Sequence, residues 1–260
     1  MTTVRQPREG ADMGFAAAPS TQSGGAISNR TIGRLAGLTY VGVVLTGIFA
    51  LAYIPQQLID MSDPATTYRK ISESDLLYRA GVAAEFACYA LFAALMVFLH
   101  RLFSPHGGTL ASLMAMLGSV SVPIAFVATA HKEAVIGVIG GAGLFASLGA
   151  DARQAAAATQ LHAYKDMIAA AEIFWGLWLL PFGALVLKTG LIPRLLGVFL
   201  VLGCFGGLAD HFGPLFFDGY KGTIIGGFAS IPGSIGEIGA AFWLFAFGAR
   251  VRPGGGLTSP

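Results

Sequence analysis

Five stretches of the chain carry close to twenty apolar residues with at most one ionisable side chain inside: Leu35 to Ile54, Ala80 to Leu99, Leu110 to Ala130, Met167 to Leu187, and Ser230 to Phe247, the last preceded by the apolar Ile224 to Ala229. A helix needs roughly 20 such residues to cross a hydrocarbon core about 30 Å thick. Each run therefore predicts a membrane span. A sixth begins at Leu195, is uncharged to Ala209, and continues through "DHFGPLFF" with Asp210 and His211 inside it. The 16-residue, glycine-rich "AVIGVIGGAGLFASLG", Ala134 to Gly149, has a length between a span and a re-entrant piece and reads as an extension of the third helix; counting it separately gives seven spans. Between the first two spans, Pro55 to Leu77 is the largest polar connection, with Asp63 and Pro64 signalling the start of one short helix. The expectation is an all-α, polytopic transmembrane helix bundle over residues 31–249, flanked by a disordered tail at 1–30 and a short tail at 250–260. No internal repeat or interdomain linker is visible.

Composition supports this. Of 260 residues, 55% are hydrophobic and 12% charged, with a mean hydropathy of +0.68, whereas a soluble domain carries about 25% charged residues. The net charge of +2 comes from scattered basic residues and excludes the clustered stripe of a nucleic-acid binder, so no nucleic-acid partner is expected. Cys88 and Cys204 lie inside apolar runs and read as small hydrophobes, not as a disulfide or a metal motif.

Basic residues collect on the cytoplasmic side of short loops. With six spans and a cytoplasmic amino terminus, Arg5, Arg8, Arg30, Arg34, Arg101, Lys188, Arg194, Arg250 and Arg252 fall inside; Arg69, Lys70, Arg79, Lys132, Arg153, Lys165 and Lys221 fall outside. Acidic loop residues fall outside apart from Glu9 and Asp12. Both termini are expected in the cytoplasm, and the lipid bilayer is the expected partner.

Three carboxylates break the apolar runs. In the six-span arrangement the second, fourth and sixth helices run in one direction, which puts Glu85, Glu172 and Glu237 about five to eight residues from their outer ends, roughly 8 to 12 Å deep. Asp210 and His211 arrive at that level from the opposite direction, with His131 and His162 at its rim. An intramembrane charge is costly, faces the bundle interior and marks a functional site by default. Ser234 and Gly233 share the face of Glu237, Tyr89 that of Glu85, and Trp175 that of Glu172. A carboxylate-lined cavity in the outer half is therefore expected, with Glu85, Glu172, Glu237, Asp210, His211 and His162 as its ligand-binding or proton-binding residues. The bland alternative is that protonated glutamates serve only as interhelical hydrogen bonds.

His131, His162 and His211 with an acid also admit a catalytic zinc, although their spacing matches no motif. Glycines at Gly33, Gly37, Gly233, Gly236 and Gly239 offer close helix packing and leave homo-oligomerisation open. Trp175, Trp178 and Trp243 lie within spans and are expected in the core.

Together, "GRLAGLTYVGVVLTGIFA", "LYRAGVAAEFACYALFAALMVFL", "LHAYKDMIAAAEIFWGLWLLPFGALVLKTGLIPRLLGVFLVLG" and "PGSIGEIGAAFWLF" resemble the bacterial membrane family catalogued as domain of unknown function 4386, from about Arg30 to Phe247. A histidine before the fourth span, His162, "GLIPRLLG" after it, and Gly236-Glu237 in the last span carry the resemblance. It implies a compact multi-helix inner-membrane protein and no particular reaction or cofactor. The glycine-rich segment after His131 and the long amino-terminal tail depart from the pattern. Three functional classes follow: a protein that binds a small ligand or protons in the cavity, a metal-dependent membrane lipid hydrolase, and a structural or partner subunit.

Overall fold

The apolar runs form helices, but not the same number of them. In the computed structural model, described for residues 29–141 and 143–249, helix α1 spans Asn29–Gly47 and continues through a π-helical turn, Ile48–Tyr53, into α2, Ile54–Leu58. The expected amino-terminal tail lies outside the described residues to position 28, and Asn29 and Arg30 already belong to α1; the expected tail at 250–260 also lies outside them. Next come α3, Pro64–Glu73, and α4, Asp75–Ile139. The remaining helices are α5, Ala150–Leu177, α6, Leu179–Thr189, α7, Arg194–Phe216, α8, Ile224–Phe228, and α9, Ile231–Phe247. No strand occurs among the described residues.

Helix α4 holds two predicted spans. Its backbone leaves helical geometry at Gly107, two residues after Pro105, whose ring cannot continue the hydrogen-bond ladder. The limbs 75–106 and 108–139 run back along each other: His100 reaches Ser112 at 3.3 Å, and a methyl at Gly118 would collide with Met96. Among the described residues, five apolar helical stretches are long enough to cross a membrane, and the fold at Gly107 makes two limbs of one of them. The chain is thus a multi-pass helical membrane bundle of six crossings. The ambiguous 134–149 segment divides. Its first residues extend the third limb to Ile139, and the rest makes a turn and a 3₁₀ segment, Gly143–Phe145, leading into α5.

Local sequence sets the other boundaries. Asp63 caps α3 by accepting from the Thr66 amide at 2.9 Å, as its Asp-Pro start predicts. Gly190 ends α6 at φ +66, a left-handed conformation that glycine adopts without strain, and Pro193 follows. Helices α5 and α6 are nearly continuous through Trp178 and supply the fourth crossing.

Glycine faces close the bundle within one chain. A Cβ at Gly37 would strike the Phe245 backbone, and one at Gly33 the Ala249 amide, so α1 lies against α9 at the end of the bundle where both meet. Gly203 meets Gly233, and Gly236 would stand 2.9 Å from the Leu200 amide, which seats α9 on α7. The main core gathers Tyr40, Phe92, Trp178 and Phe182, with Trp178 stacked on Phe182 at 5.2 Å. Cys88 and Cys204 are buried free thiols.

Two predictions follow from this packing. Gly37→Ala lacks room and should lose about 1–3 kcal/mol, the usual effect of overpacking, read as a lower melting temperature in detergent. Gly137→Ala, with no atom within 4 Å of the added methyl, should instead leave the melting temperature unchanged or raise it. The cap on α3 has a pH signature. The Thr66 amide holds the Asp63 carboxyl below its ordinary value, so its contribution is complete above about pH 4 and is lost as pH falls through the lowered value. Amide exchange in residues 65–67 should accelerate under those acid conditions and in Asp63→Ala at neutral pH.

Candidate functional site

The buried carboxylates divide into one that is closed off and a group that borders open space. Glu85 is fully buried in the limb 75–106 and forms an ion pair with Lys132 of the limb 108–139, Oε2 to Nζ 2.7 Å, both side chains at 0% exposure. Its Oε1 accepts from Tyr164 Oη of α5 at 2.9 Å and from Tyr89 Oη at 3.2 Å. Thr129 Oγ1 also lies 3.2 Å from Oε1, sharing its single proton with the Ala125 carbonyl at 2.8 Å. The Lys132 ammonium sits 5.1 Å from the centre of the Tyr164 ring and donates to the Ala50 carbonyl at 3.2 Å.

That last contact explains the π-helical turn. In an α-helix the Ile54 amide would serve Ala50, but here it bonds Phe49, and the residue five beyond Ala50 is Pro55, which has no N–H. A carbonyl left without an intrahelical donor in a membrane is costly. Lys132 supplies the donor. Tyr78 Oη completes the cluster by donating to the Lys132 backbone carbonyl at 2.8 Å.

Lys132 corrects its assignment to an outer loop. The third helix does not stop at Ala130 but runs to Ile139, and Lys132 falls on its inward face, about as far from Gly107 as Glu85 is on the other limb. The apolar "AVIGVI" after it was the available signal.

Glu172, Asp210 and Glu237 meet elsewhere. They border a cavity of about 300 Å³ between α5, α7 and α9, together with Lys221, Ser230 and Ser234. Glu172 is exposed to it, and Asp210 keeps Oδ1 buried without a hydrogen-bond partner. Tyr220 stands near Asp210 but outside hydrogen-bond geometry, its Oη likewise without a partner. His211, beside Asp210, has its ring edge-on to Phe212 and lies within electrostatic range of Glu172.

A second cavity of about 390 Å³ shares Trp175, Ser234 and Glu237 with the first. Five aromatic residues, Tyr40, Tyr89, Phe92, Trp175 and Trp178, line it together with aliphatic side chains such as Val43, Ile48, Leu51 and Ile238. Glu237 is the one acidic or basic residue among its described lining, and Tyr40 Oη donates to Glu237 Oε1 at 2.9 Å, with no hydrogen bond to Oε2 from the described residues. Tyr40 was not anticipated, although it continues the stripe of Gly33 and Gly37 that faces α9. Tyr89 joins the two halves of the site, its hydroxyl on Glu85 and its ring stacked on Trp175 at 5.9 Å.

His131 Nδ1 donates to Gln160 Oε1 at 2.7 Å, with the tautomer assigned from that acceptor, while His162 is exposed at a shallow cleft beside Asp60 and Tyr68. No group of three His, Cys, Asp or Glu side chains has metal-binding geometry among the described residues. His162 does not line either of the two cavities.

A family model described as a domain of unknown function (DUF4386) matches residues 35–248. No curated protein matches the chain, and no solved structure does.

The ion pair should behave as a unit. Lys132→Met leaves the Glu85 charge buried alone and should cost about 3–5 kcal/mol, whereas adding Glu85→Gln removes that charge and should restore most of the loss. Thermal unfolding of both variants and of Glu85→Gln closes the cycle. A double variant no more stable than Lys132→Met would contradict the pairing.

Proposed function

The chain belongs to the family described as domain of unknown function 4386, and for this member we propose a membrane protein that binds a small cationic ligand at Glu237. The observation that carries the proposal is Glu237 lining, with five aromatic residues, an otherwise apolar cavity of about 390 Å³. Aromatic faces attract cations through their quadrupole, by up to about 2 kcal/mol when water is excluded. A single carboxylate among such faces supplies the opposite charge, and the apolar walls take the body of an organic cation. Tyr40 holds one Glu237 oxygen in place and leaves the other for the ligand.

The neighbouring polar cavity supports the same sign of cargo. Glu172, Asp210 and Glu237 outnumber Lys221 there, so its field favours a cation. His211, within electrostatic range of Glu172, is a candidate to modulate that field. A proton is the smallest cation these carboxylates accept, and the aromatic walls favour an organic one over it.

Glu85 takes the structural part. Both of its oxygens are engaged, which supports a role in fixing helix register and not in binding. A metal-dependent lipid hydrolase would need three converging ligands, and no group of three His, Cys, Asp or Glu side chains has that geometry among the described residues.

We place the protein in the bacterial inner membrane with both termini in the cytoplasm. With Lys132 removed from the loops, basic residues stand nine to six in favour of that orientation.

Trp175 and Trp178 line the aromatic cavity, so tryptophan emission reports occupancy. Benzyltrimethylammonium titrated into the detergent-purified protein should change it saturably, and its neutral isostere neopentylbenzene should bind at least about tenfold more weakly, a difference of about 1.4 kcal/mol. Glu237→Gln should abolish the preference for the cation. Equal binding of the two compounds, or a Glu237→Gln variant with unchanged preference, would refute the proposal.

A further inference from the structure

The aromatic cavity opens sideways. Its lining includes Ile48 of the π-helical turn and Ile238 of α9, which are 54% and 38% exposed on the outer surface of the bundle, and the exposed Ala52. Around that mouth, Leu45, Ile235 and Phe242 are exposed apolar side chains of the kind that face acyl chains. Helices α1 and α9 touch backbone to backbone at Gly37 and Gly33. Further along the same stripe the contact is gone: a methyl at Gly47 would meet only Cys88 Sγ, at 3.5 Å, and no atom of α9. The π-helical turn sits where the two helices part, and its conformation is held by Lys132 on the Ala50 carbonyl.

Chemistry changes along the path inward from this mouth. The exposed lining residues Ile48, Ala52 and Ile238 are apolar, Tyr40 and Trp175 stand with Glu237 in the lining, and Ser234 and Glu237 also border the polar cavity with Glu172, Asp210 and Lys221. A water-borne ion arriving from the side would cross lipid to reach it, whereas a molecule with a hydrocarbon tail and a charged head is already there. Building on the reading of Glu237 as a ligand-binding carboxylate, we propose that the site takes an amine-headed amphiphile from the bilayer. The ammonium sits on Glu237, the aromatic walls enclose it, and the tail lies in the opening between α1 and α9.

The test uses the full chain in phosphatidylcholine vesicles, with three probes of one chain length that carry a nitroxide on the chain and end in an amine, an alcohol or a carboxylic acid. Nitroxides quench tryptophan on contact. The amine should quench at a membrane mole fraction at least about fivefold below that of the alcohol or the acid, a difference of about 1 kcal/mol. Ala52→Phe, a change at an exposed position that fills the mouth, should remove this preference. Displacement of the amine probe by added phosphatidylethanolamine would identify a lipid headgroup as the source of the amine, and failure to displace it a free alkylamine. If the amine shows no preference while benzyltrimethylammonium still binds from water, the amphiphile is wrong and the Glu237 site stands. If neither binds, both fail. An Ala52→Phe protein that matches the parent would overturn the sideways entrance.

Discussion

The Glu85–Lys132 ion pair is the contact on which the other helices depend. Two charges in a medium without water are tolerated only together and only with their remaining hydrogen-bonding capacity met. Here the partners come from four crossings: Ala50 from the first, Glu85 and Tyr89 from the second, Lys132 and Thr129 from the third, and Tyr164 from the fourth. Sliding any of these helices by one residue would strand a charge or an acceptor. The pair therefore fixes register among helices whose apolar surfaces alone, packed in lipid, would distinguish poorly between neighbouring registers.

Its influence reaches the cavity by two routes. Lys132 satisfies the carbonyl that the π-helical turn leaves bare, which holds α1 in the shape that frames the cavity mouth. Glu85 anchors the hydroxyl of Tyr89, whose ring then stacks on Trp175 and forms part of the cavity wall. Glu237 lies outside that network, and its donor among the described residues is Tyr40. Glu85, paired and fully buried, thus stands apart from Glu172, Asp210 and Glu237, which border open space.

Much of this was legible in the sequence, for physical reasons that also explain what was not. Twenty-residue apolar runs are unmistakable because hydrocarbon thickness sets their length, and the glycine stripes of α1 and α9 announced their close packing. The depth argument brought Glu172, Asp210 and Glu237 to one level, and they border one cavity. Depth carries no information about azimuth, however. Glu85 lies on a helix face that turns toward Lys132, and nothing in its own span says so. Lys132 itself resembles a loop residue until the helix is known to continue to Ile139. Tyr40 reads as one more aromatic in an apolar run until α9 is laid beside it. The histidines carry less: His131 is engaged by Gln160, and no group of three His, Cys, Asp or Glu side chains has metal-binding geometry among the described residues.

The division between a closed and an open carboxylate can be measured directly. Dicyclohexylcarbodiimide is lipid-soluble and couples to carboxylic acids it can reach from the bilayer. After treatment of the protein in native membranes, peptide mass spectrometry should find Glu237 modified and Glu85 untouched, with benzyltrimethylammonium protecting Glu237. Modification of Glu85 with Glu237 left intact would mean that the ion pair is open and the cavity closed, and would contradict the account.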